Sequence, residues 1–93
     1  MKTVVEVETE RLESANRHIV AVEDRIQSQR RRIANLVTKG VQFEHSEKLL
    51  ASLVDTLGVM QKYRQQVIYH LVEARLQQQD LQRRILQNPE SEK

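Results

Sequence analysis

Three histidines have the widest chemical range of any residues in this 93-residue chain, so a metal site is the first chemistry to weigh. Metal sites built on helices pair one Glu-x-x-His with another, or set two histidines one turn apart. The residues three before His18, His45 and His70 are Ala15, Gln42 and Val67, and no histidine follows four residues later. The chain has no cysteine, which removes thiolate ligands, disulfides and thiol nucleophiles. It has no glycine-rich phosphate loop, no nucleophile elbow and no pair of carboxylates with a pocket to work in. No catalytic residue, metal or cofactor is expected, and the chain reads as a non-enzyme.

The cations are more ordered than the histidines. Arg11, Arg25, Arg32 and Lys39 are separated by multiples of seven, so on one helix they form a single row. Arg30 and Arg31 thicken that row into a local cluster. Such a stripe could contact an acidic protein surface or a phosphate backbone. The plainer account is a solvated flank, because a net charge of +2 exerts little long-range pull. Three aromatic residues are too few to stack single-stranded bases. Nucleic-acid binding through the stripe is therefore the alternative function rather than the leading one.

The elements that carry these residues follow from hydrophobic spacing. Val5, Leu12, Ile19, Ile26 and Ile33 recur every seven residues, with Ala15, Val22, Gln29 and Leu36 between them at the second heptad position. The pattern resumes with Leu50, Leu57, Leu71 and Ile85, interleaved with Leu53, Met60, Val67, Ala74 and Leu81. Gly40 stands between the two seams, where a glycine can end a helix in the left-handed conformation. Asn88-Pro89 stops the second seam. The spacing predicts helix one over about 3–39, a turn at about 40–43, helix two over about 43–87 and a frayed tail at 88–93. The fold class is all-α: a two-helix antiparallel coiled-coil hairpin occupying residues 1–93 as one unit.

Taking the turn as the hinge, Ile33 is expected opposite Leu53, Ile26 opposite Met60 and Ile19 opposite Val67. Leu12 then meets Ala74, Val5 meets Leu81, and Ile85 and Leu86 overhang, free to capture a partner helix. Arg64 falls opposite Val22, and His18 and His70 face each other. Helix two carries more apolar surface than one seam can use, because Leu49, Val54, Tyr63 and Ile68 flank its core line. This predicts self-association, most simply a homodimer forming a four-helix bundle. The expected oligomer interface is Leu49, Val54, Tyr63, Arg64, Ile68 and Ile85. Arg11, Arg25, Arg30, Arg31, Arg32 and Lys39 are the candidate contacts for an anionic partner.

The central stretch resembles a family of small, uncharacterised helical-hairpin proteins of alphaproteobacteria. The residues that carry the likeness are Arg17-His18-Ile19, Glu23-Asp24-Arg25-Ile26, Gln29, Ile33, Leu36 and Gly40, then Glu47-Lys48-Leu49-Leu50, Leu53, Thr56-Leu57, Met60 and Arg64. It covers about half the chain, from Arg17 to about Ile68. This chain departs from the family pattern at its turn, Val41-Gln42-Phe43, and at Tyr63, where the family often has histidine. The resemblance implies a bacterial, cytoplasmic hairpin and carries no activity with it. No stretch approaches the roughly 20 apolar residues of a membrane span. The function expected is a self-associating protein–protein interaction or adaptor module.

Overall fold

The computed structural model describes residues 1–87, and the expected proline stop and tail lie outside them. Two helices account for the fold: α1 is Val4–Thr38 and α2 is Glu44–Gln87. Thr3 opens α1 as its N-cap, the side-chain Oγ1 accepting the Glu6 N–H at 3.1 Å and so satisfying one orphan donor. At the other end Gly40 takes φ +69°. Its N–H donates to the Val37 carbonyl at 3.1 Å, and the Val41 N–H donates to the Leu36 carbonyl at 3.0 Å. These two bonds are a Schellman closure, which reverses the chain within a few residues.

Helix one buries Ala15, Ile19, Val22, Ile26 and Gln29, steps of four and three that leave one narrow stripe. Helix two answers with buried Ser46, Val67 and Leu71 and with half-buried Leu50, Leu53, Leu57, Met60, Arg64 and Ala74. The product is a rod of 79 × 18 × 17 Å. Its radius of gyration is 22.2 Å, where a compact domain of this length would have about 12 Å.

Cross-helix contacts set the register. The Gln29 side-chain amide donates to the Ser46 carbonyl at 2.9 Å, and the Arg64 guanidinium meets Asn16 Oδ1 at 3.4 Å. Glu8 shares a cleft with His70 and Ala74, and Ala15 shares another with Met60 and Tyr63. These pairings place Val5 level with Ala74, Ile19 with Met60 and Ile26 with Leu53. The register over the span that these contacts fix is thus one heptad away from the expectation, while at the open end Val5 shares a cleft with both Ala74 and Leu81. The physical reason lies at the turn: the seam of α2 begins at half-buried Phe43 and buried Ser46, not at Leu50. Two residues that read as turn and polar surface are core positions.

Because the chain is free of cysteine, the register has a direct check. An Ala15→Cys/Arg64→Cys variant, which truncates no large core side chain, should close an intramolecular disulfide under mild oxidation, since facing seam positions bring Cβ atoms within bonding reach. Val22→Cys/Arg64→Cys should stay reduced as a monomer. Closure of the second pair and not the first would restore the expected register.

Candidate interaction surfaces

An antiparallel pair of helices leaves one groove on each side of its core, and here the two differ in character. The first is walled on α1 by Arg11, His18, Arg25 and Arg32 and on α2 by Leu49, Tyr63 and His70. Four clefts follow one another along it, floored by Leu53 and Gln29 near the turn, Ala15 and Met60 in the middle, then Ala74, and last Val5 and Leu81 at the open end. Leu49 and Tyr63 are each about half exposed on its rim. The opposite groove carries Val37 and Val54, both exposed, and half-buried Ile68, among Glu23, Arg30, Glu47 and Arg75. Arg64 leans to this side, its aliphatic stem on the seam and its guanidinium at Asn16.

The six expected interface residues therefore do not share a face. Leu49 and Tyr63 lie on the first groove, and Val54 and Ile68 lie on the second. Arg64 reaches the edge of the second groove at Asn16 rather than lying opposite Val22. Ile85 belongs to the free end of α2, which the heptad shift lengthens: Arg75 to Gln87 are all exposed, Leu76, Leu81 and Leu86 included. Exposure thus starts well before Ile85 and Leu86, although Gln77, Gln78 and Leu81 still share a cleft with Val4 and Val5.

The anionic-partner candidates divide as well. Arg11, Arg25 and Arg32 face the first groove, whereas Arg30 and Arg31 are exposed elsewhere on α1 and Lys39 caps its C-terminus. Arg11 is held by Glu8 at 3.1 Å, so the hairpin does neutralise that member of the row. Among the described residues Arg25 and Arg32 form no ion pair, and Arg25 stands beside Leu49 and Leu53. His18 and His70 sit in different clefts and do not face each other. Among the described residues there is no group of three His, Asp or Glu placed to hold a metal ion.

Glu8 is the residue that the sequence reading missed. It occupies a core position of α1, 7% exposed, with Oε1 on Arg11 and Oε2 buried with no partner among the described residues. Counting back seven from Ala15 would have found it, because the seam runs through Glu8 whether or not the residue there is apolar. Polar seam residues weaken a coiled coil and select its register. Gln29 does so visibly, since its amide binds one carbonyl on the facing helix.

Among the described residues no helix is long and apolar enough to cross a membrane. No protein-family model, curated protein or solved structure matches this chain.

Proposed function

We propose that this chain is a self-associating helical hairpin whose grooves serve as protein–protein interaction surfaces, an adaptor rather than an enzyme. The observation that carries this reading is surface area. The chain exposes 7818 Å², whereas a compact monomer of 11.0 kDa exposes about 5,600 Å². Large apolar side chains, Leu49, Val54, Tyr63 and Leu76 among them, are part of that exposed surface, and six buried apolar residues are all the core the described hairpin has. A second layer of two helices would cover that excess, and a homodimeric four-helix bundle is its simplest form. The likeness to alphaproteobacterial hairpins adds a bacterial cytoplasm as the proposed setting.

Sedimentation equilibrium at micromolar concentration should return about 22 kDa, twice the chain mass. A single species at the mass of one chain would sink the proposal. The alternative, phosphate-backbone binding, draws on the unpaired Arg25 and Arg32. A gel shift of random duplex DNA at low salt by a chain that stays monomeric would favour it.

A further inference from the structure

We infer that the groove walled by Arg25, Arg32, Leu49 and Tyr63 receives a second copy of this chain, laid antiparallel so that its turn covers the open end of the first. The inference rests on the proposed self-association and names the face and the alignment. Charge is the first argument. At the turn end the groove is lined by Arg25 and Arg32 against the single carboxylate of Asp24. At the open end it is lined by Glu8 and Glu73 against the single guanidinium of Arg11. One end is net positive and the other net negative, so a two-fold axis across the rod joins unlike ends. An axis along the rod would stack Arg25 and Arg32 beside their own mates, which the same charges oppose.

Shape supplies the second argument. With the axis at the middle cleft, between Ala15 and Tyr63, Arg25 of one copy lies level with Glu8 of its mate. The two Tyr63 rings come within about one helical turn of each other along the rod. The same alignment carries the uncovered end of α2, with Leu81 and Ile85, to the mate's turn, where Val41 and Leu49 are exposed. The exposed apolar residues at both ends of the rod are thereby covered by one symmetry operation. The opposite groove, with charges of both signs interspersed, has no such polarity along its length.

Cysteine cross-linking of the full chain tests the face, with Tyr63 about half exposed and Ile68 half-buried on the opposite groove. Leu49→Cys tests the alignment, because it should stay reduced in the antiparallel dimer and cross-link only in a parallel one. Tyr63→Cys should form an intermolecular disulfide under mild oxidation, whereas Ile68→Cys, on the opposite groove, should not. Arg25→Glu should weaken the dimer about tenfold or more in sedimentation, and Arg31→Glu, which points away from the groove, should leave it unchanged. A dimer that cross-links through Ile68→Cys or Leu49→Cys, or fails to cross-link through Tyr63→Cys, overturns this inference and leaves self-association standing. A chain that sediments as a monomer under all conditions overturns both.

Discussion

Ile19→Ala is expected to abolish the folded hairpin at room temperature. Ile19 is 2% exposed, the most deeply buried apolar residue of the core, and it sits at the middle of the α1 seam. Truncating a buried isoleucine to alanine costs about 2–5 kcal/mol, from lost transfer energy and the cavity left behind. A single small core supplies only about 3–5 kcal/mol in total. The substitution therefore removes most of what holds the two helices together. Isolated helices of this composition fray once their apolar stripe has nothing to pack on, so helicity falls with stability. Circular dichroism at 222 nm across a urea titration, at fixed chain concentration, should show the transition lost or displaced to low urea. Val20→Ala is the control: Val20 is 56% exposed, and its truncation should change stability by no more than about 0.5 kcal/mol. Equal urea midpoints for the two variants would show that the seam does not carry the stability of the fold.

Glu8→Leu should have the next largest effect, in the opposite direction. The carboxylate lies in the seam with one oxygen on a half-exposed arginine and the other buried with no partner among the described residues. A buried polar group left without its hydrogen bond costs about 1–3 kcal/mol. The ion pair to Arg11 offsets little of that, because the arginine side chain is largely in water. Replacing the carboxylate by a leucine of similar size removes the penalty and extends the apolar stripe past Ala15. A gain of about 1–2 kcal/mol in the unfolding free energy is expected at chain concentrations low enough to keep the hairpin monomeric. The antiparallel dimer, which sets the mate's Arg25 level with this carboxylate, should be weakened. A loss of stability in the monomer instead would mean that the buried oxygen finds a donor in solution. Gln29 makes a useful contrast, since its amide is bound and Gln29→Leu would sacrifice the contact that distinguishes one register from the next.

What the sequence alone determined is local. Heptad spacing places Ala15, Ile19, Val22 and Ile26 in one stripe, and these are the apolar side chains that α1 buries. Gly40 ends the first helix because only glycine takes φ +69° without strain, and the structure reverses there. The alignment of Arg25 and Arg32 in one row follows from the same seven-residue count. Each of these rests on interactions within a few turns of one helix, where the physics is periodic and readable.

Only the tertiary structure decided the register. A heptad repeat is similar to itself after seven residues, so sliding α2 by one heptad again lays leucine, valine and methionine on isoleucine and valine. Burial energy, being non-directional, hardly separates the two alignments. The difference lies in directional contacts, Gln29 to the Ser46 carbonyl and the tight closure at Gly40, which draw Phe43 and Ser46 into the seam. From that one choice follow the division of the expected interface residues between two grooves, the separation of His18 from His70 and the long exposed end of α2.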